Sequence, residues 1–74
     1  MSTKRTIALH PDKIWEQFIL PFYGAEIKHY LLLEIPDYEG LADTVNKDFH
    51  LTPEQWEAVL QNWEQYAYLT ENYN

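Results

Sequence analysis

The strongest local signal in this sequence is a helix start at residues 51–56, and a helix so defined needs a core to lie on. Thr52 is a good N-cap, Pro53 takes the first helical position, where its missing N–H costs nothing, and Gln55 at N3 completes a capping box. Leu51, just before the cap, is placed to pack on Trp56 as a hydrophobic staple. Trp56, Val59, Leu60, Trp63 and Ala67 then mark one apolar stripe at helical spacing, with Tyr66 beside it. Residues 70–74 are expected to fray.

What covers that stripe must come from a short chain. With 74 residues, the sequence reads as one small domain over 1–74. A chain of this size buries only about 60% of the surface its unfolded form exposes. There are no cysteines, which removes disulfides and thiolate metal sites. His10, His29 and His50 are far apart with no ligand spacing, so neither a metal nor another cofactor is expected. Twelve aromatics must do the stabilising, and each can bury roughly 150–250 Å².

The rest of the chain divides at its prolines and glycines. His10-Pro11-Asp12 reads as a helix start with Pro11 at the first position, followed by Ile14, Trp15, Phe18, Ile19 and Phe22 at helical spacing. Pro21 predicts that this helix ends or kinks near Leu20, and Gly24 follows as a break. Residues 25–35 fit two templates. As a strand, Ile27, His29, Leu31, Leu33 and Ile35 share a face; as a helix, Ile27, Tyr30, Leu31 and Glu34 stack. The leucine-rich, unbranched composition favours helix, and Pro36 closes the segment. Asp37 can cap a third helix running through Phe49, with Leu41, Ala42, Val45 and Phe49 inward.

These elements predict an all-α fold of three to four short helices. Its core would be Trp15, Phe18, Ile19, Leu31, Leu41, Val45, Phe49, Trp56, Val59, Leu60 and Trp63. The alternative is α+β, with a short two-stranded sheet pairing residues 5–9 with part of 27–35.

Charge carries the functional reading. Residues 1–30 hold four bases and three acids; residues 31–74 hold nine acids and only Lys47 against them, and the chain's net charge is −7. That field repels nucleic acid and anionic membrane, so neither direct nucleic-acid binding nor membrane association is expected, and a cationic partner is favoured. Glu57, Glu64 and Glu71 are seven apart, forming nearly one stripe with about 10.5 Å between neighbours at 1.5 Å per residue. Glu54 sits one turn earlier, and Glu39 and Asp43 add acids from the third helix. Tyr68 points away from the apolar stripe, and with Tyr73 it suits an arginine-rich partner through cation–π contact. The expected partner-binding set is therefore Glu39, Asp43, Glu54, Glu57, Glu64, Tyr68, Glu71 and Tyr73.

The first functional expectation is an acidic protein that inhibits or regulates a basic partner, such as a nuclease or DNA-binding complex, by presenting phosphate-like carboxylates. Phage-encoded inhibitors of bacterial defence, anti-CRISPR proteins among them, and antitoxins share that size and charge, an analogy of those two properties only. The second is an accessory or adaptor subunit binding through an aromatic patch. The third is an acidic helix–turn–helix regulator, with the third and fourth helices joined at His50-Leu51 and Glu54, Gln55, Glu57, Ala58, Gln61 and Asn62 facing outward. No basic residue there could hold phosphate, which counts against the third. Nucleophile motifs, phosphate loops and ligand clusters are absent, so no enzyme is expected. The N-terminal residues lack a signal-peptide pattern, and a cytoplasmic protein, in its own cell or a host's, is the expectation. The oligomeric state is open.

Overall fold

The computed structural model describes residues 5–73, with side chains described as far as Leu69. The element order is β1 (Arg5–Thr6), α1 (Pro11–Ile14), a π-helical turn (Trp15–Ile19), α2 (Leu20–Leu31), α3 (Tyr38–Asn46), β2 (Phe49–His50) and α4 (Pro53–Tyr73). The fold is thus helical with one small two-stranded sheet.

Helix α4 starts where its local chemistry requires. The Thr52 N–H donates to Gln55 Oε1 at 2.9 Å, and the Gln55 N–H donates to Thr52 Oγ1 at 3.1 Å. The two residues satisfy each other's backbone donors, as a capping box should. At the other starts, Pro11 is preceded by His10, whose Nδ1 accepts from the Asp12 N–H at 3.2 Å. The Asp37 side chain accepts from the Gly40 N–H at 2.9 Å and caps α3.

Residues 11–31 form one run of helix that bends rather than ends. The Leu20 N–H donates to the Trp15 carbonyl five residues back, and the widened turn lies immediately before Pro21. Proline lacks an N–H and its ring crowds the carbonyl four residues earlier, so a wider turn is how helix can pass through it. A second departure follows at Tyr23, with φ −125° and ψ 26°. Beyond it the chain is helical to Leu31, with Ile27 and Leu31 buried. Residues 27–31 are therefore helix and residues 32–35 a bend, so the strand alternative for 27–35 does not hold.

The sheet forms elsewhere. β1 pairs parallel with β2, Arg5 opposite Phe49 and Thr6 opposite His50, and the Arg5 N–H reaches the Asp48 carbonyl at 3.0 Å. Two parallel strands need a long crossover, and here all of α1, α2 and α3 supply it. This pairing also corrects the third helix. It stops at Asn46 instead of running through Phe49, because the backbone of Phe49 and His50 is committed to β1. The joint between α3 and α4 is accordingly residues 47–52 and contains a strand, so the tight two-residue turn at His50-Leu51 is not formed.

One core cluster unites the elements: Ile14, Trp15, Phe18, Ile19, Tyr23, Ile27, Leu31, Leu41, Val45, Leu51, Val59 and Trp63. Phe49, Trp56 and Leu60, expected inside, are half-buried and pack on its rim. Ile14, Tyr23, Ile27 and Leu51 take their places. Phe18 is the aromatic centre, with ring centroids 4.9 Å from Phe49 and 5.6 Å from Tyr23. Tyr38 joins α3 to α4: its hydroxyl donates to the Trp56 carbonyl at 3.1 Å, and its ring meets Trp56 edge-on. Burial pushes the Tyr38 phenol up to about 12. The Tyr23 phenol is also raised, by burial first and then by the charges of Asp48 and Glu26.

Candidate partner-binding surface

An α-helix advances 100° per residue, so the buried positions of α4 fix where its carboxylates point. Gln55, Val59 and Trp63 are buried and define the inward line. Glu57, Gln61, Glu64 and Tyr68 fall on the opposite side, and all four are exposed. Glu54 is exposed beside them. On α3 the inward line is Leu41 and Val45, and Glu39 and Asp43 share the outward face. The structure thus brings the expected residues onto two outer faces, one per helix. The side chains of Glu71 and Tyr73 lie outside the described residues.

None of Glu39, Asp43, Glu54, Glu57 and Glu64 has a Lys, Arg or His nitrogen within 4.0 Å among the described residues; the short approach of that kind found there, His10 Nδ1 to Asp12 Oδ2 at 3.6 Å, lies at the start of α1. The reason lies in the sequence. There is no Lys or Arg between Lys28 and Lys47, and none after Lys47. Surface helices ordinarily gain roughly 0.2–0.5 kcal/mol from each acid–base pair three or four residues apart. This chain forgoes that stabilisation along the whole of α4.

Gln55, expected to face outward, is only 3% exposed. Besides the capping bond, its Nε2 donates to the Ile7 carbonyl at 2.9 Å and to the Leu9 carbonyl at 2.8 Å. Both amide hydrogens and the amide oxygen are thus spent on backbone. Ala58 and Asn62 are half-buried as well, and Asn62 Nδ2 donates to the Ala58 carbonyl at 2.8 Å. The outward face expected of a recognition helix is therefore reduced to its acids and Gln61.

Sequence reasoning missed a second feature. Leu32, Leu33 and Ile35, in the bend between α2 and α3, are exposed, as is Phe22 on α2. The available signal was Pro36: a proline that closes the segment leaves the apolar residues just before it outside the helical stripe. Towards the end of α4, Tyr66 and Leu69 are also exposed, although Tyr66 meets Trp15 with centroids 6.0 Å apart. A groove of about 470 Å³ lies there, lined by Leu20, Gly24, Ala25, Ile27, Lys28 and Tyr66. No helix among the described residues is long and apolar enough to cross a membrane.

The fold and surface define a class in physical terms: a small helical domain whose outer faces are rich in carboxylates and poor in bases. Compared with protein-family models, curated proteins and solved structures, the chain matches none.

Proposed function

We propose that this domain is an acidic protein-binding protein that occupies a basic site on a nucleic-acid-handling partner and thereby inhibits or regulates it. The observation that carries the reading is the set of five exposed carboxylates on α3 and α4 with no base within 4.0 Å among the described residues. Carboxylates that no base among the described residues pairs are available to a partner, and they steer its approach. The imitation of nucleic acid is local. Duplex DNA carries one charge per roughly 1.7 Å of axis, whereas Glu57 and Glu64 are separated by about 10.5 Å along α4. The surface can stand in for a few phosphates, not for a length of duplex. In this reading the domain is not an enzyme, carries no cofactor and works in the cytoplasm, its own or a host's.

The test is a charge reversal, Glu57→Lys with Glu64→Lys. Both positions face away from the core, so the fold is expected to persist. Wild type and variant would be used to capture proteins from native lysate over a range of ionic strength, with quantitative mass spectrometry and competition by duplex DNA. The expected result is a basic, nucleic-acid-handling protein held by wild type, displaced by salt and by DNA, and bound at least about tenfold more weakly by the variant. Identical retention by both proteins at every salt concentration would refute the reading. The adaptor reading would then lead, supported by the exposed Leu32, Leu33, Ile35, Tyr66 and Leu69.

A further inference from the structure

The bend between α2 and α3 holds apolar side chains in water while its ends are fixed. Leu32 is 65%, Leu33 39% and Ile35 80% exposed. The Leu32 N–H donates to the Lys28 carbonyl at 3.1 Å, closing α2, and the Asp37 N–H donates to the Tyr30 carbonyl at 3.0 Å, bringing the far end of the bend back against the helix. Asp37 then caps α3. Single exposed apolar residues need no explanation, but three within four positions of a tethered bend form a preformed apolar prominence.

Its surroundings select what can cover it. Glu34 lies within the bend, Asp37 directly follows, and Glu39 and Asp43 stand on the outer face of α3, so the four acids outnumber the exposed Lys28 in the last turn of α2. An uncharged partner would leave these carboxylates desolvated and unpaired. A second copy of this chain, at net charge −7, would bring like charges into contact. A basic surface pays neither cost.

We propose that residues 32–36 are the apolar anchor with which the domain docks into an apolar pocket rimmed by Lys or Arg on its partner. The proposal rests on the acidic-inhibitor reading for the sign of the partner's charge, but it assigns the anchoring contact to a surface separate from the α4 stripe.

Two helical peptides of equal length and charge serve as probes, one of Lys and Leu in amphipathic order, the other with Ser in place of Leu. Dissociation constants and amide chemical-shift maps would be measured for wild type, for Leu32→Ser with Ile35→Ser, for Ile35→Ser alone, and for the Glu57→Lys/Glu64→Lys protein. The expected result is that the Lys–Leu peptide binds wild type about tenfold more tightly than the Lys–Ser peptide, with shifts centred on residues 32–36. The double serine variant loses that advantage and binds the Lys–Ser peptide as wild type does; Ile35→Ser alone, at the most exposed position, loses part of it. The proposal is overturned if the Lys–Leu peptide does not bind, if its advantage survives the serine variants, or if its shifts centre on the groove at Leu20, Ile27 and Tyr66. It is also overturned if wild type sediments as a dimer that the serine variants dissociate, since a second copy would then cover the bend. Loss of the acidic reading has a different signature: the Lys–Ser peptide would bind the charge-reversed protein as well as it binds wild type.

Discussion

The start of α4 and the passage from α2 to α3 are built on opposite plans. At residues 52–55 the Thr52 and Gln55 backbone donors each find the other's side chain three positions away, and the same Gln55 reaches out to hold residues 7 and 9. At residues 30–40 the backbone is also tied, by the Asp37 N–H to the Tyr30 carbonyl and by the Asp37 cap, but the apolar side chains of Leu32, Leu33 and Ile35 between those ties are exposed to water. The first region spends its side chains on stability. The second spends backbone bonds on holding apolar side chains outside the core, and that difference is what makes it a candidate for contact with another molecule. Between the two regions stands α3, which packs on α2 so closely that a Cβ on Gly40 would come within 2.5 Å of the Tyr30 ring. There the Tyr30 hydroxyl lies 3.2 Å from Thr44 Oγ1, and that oxygen donates to the Gly40 carbonyl at 3.0 Å. Because Thr44 has given its one proton to Gly40, Tyr30 must be the donor in the pair.

The contrast can be broken most forcefully at Gln55. Gln55→Ala removes the donors to the Ile7 and Leu9 carbonyls, in part-buried hydrogen bonds, as well as part of the cap, and is expected to cost about 3 kcal/mol. Chemical denaturation measures the loss, and amide exchange at Arg5 should accelerate because β1 loses its tether. A midpoint unchanged from wild type would mean that residues 5–9 are held by something other than Gln55. Gly40→Ala comes next. Alanine gains up to about 1 kcal/mol of helix propensity, but the clash with Tyr30 is of the overpacking kind, so a net loss of roughly 1–2 kcal/mol is expected by thermal unfolding. A stabilised variant would show that α2 and α3 part more easily than their packing implies. The smallest effect belongs to Thr52→Ala, at about 1 kcal/mol, because it removes one capping acceptor and leaves the Gln55 side chain to its three other bonds. If its midpoint matches wild type, the capping box carries no weight and the tether alone defines the start of α4.

How far these features could be read in the sequence depends on the distance over which each is decided. The Thr52–Gln55 box, Pro11 at the first turn and the Asp37 cap are settled within three or four residues, and all were legible. So was a disturbance at Pro21, since the missing N–H is local; that it would widen a turn and let the helix continue was not. Of the surface residues, Glu39, Asp43, Glu54, Glu57, Glu64 and Tyr68 are exposed as their helical spacing from the apolar stripes requires. Gln55 escaped because the same side chain that completes a cap can face either way, and only the arrival of residues 7 and 9 turned it inward.

The sequence by itself determined the helix starts, the excess of acids over bases after residue 31 and the absence of disulfide support, because each follows from local geometry or from composition. Tertiary structure decided which segment pairs with Arg5–Thr6, where α3 stops, that Gln55 is buried and that Leu32, Leu33 and Ile35 are not. Those outcomes depend on backbone groups and apolar faces more than 40 residues apart, or on how much core remains to be shared. A leucine carries no mark of whether the last place in a core has already been filled. In a chain this small, Tyr23, Ile27 and Leu31 cover the inner side of α2, and the residues just beyond are left to solvent.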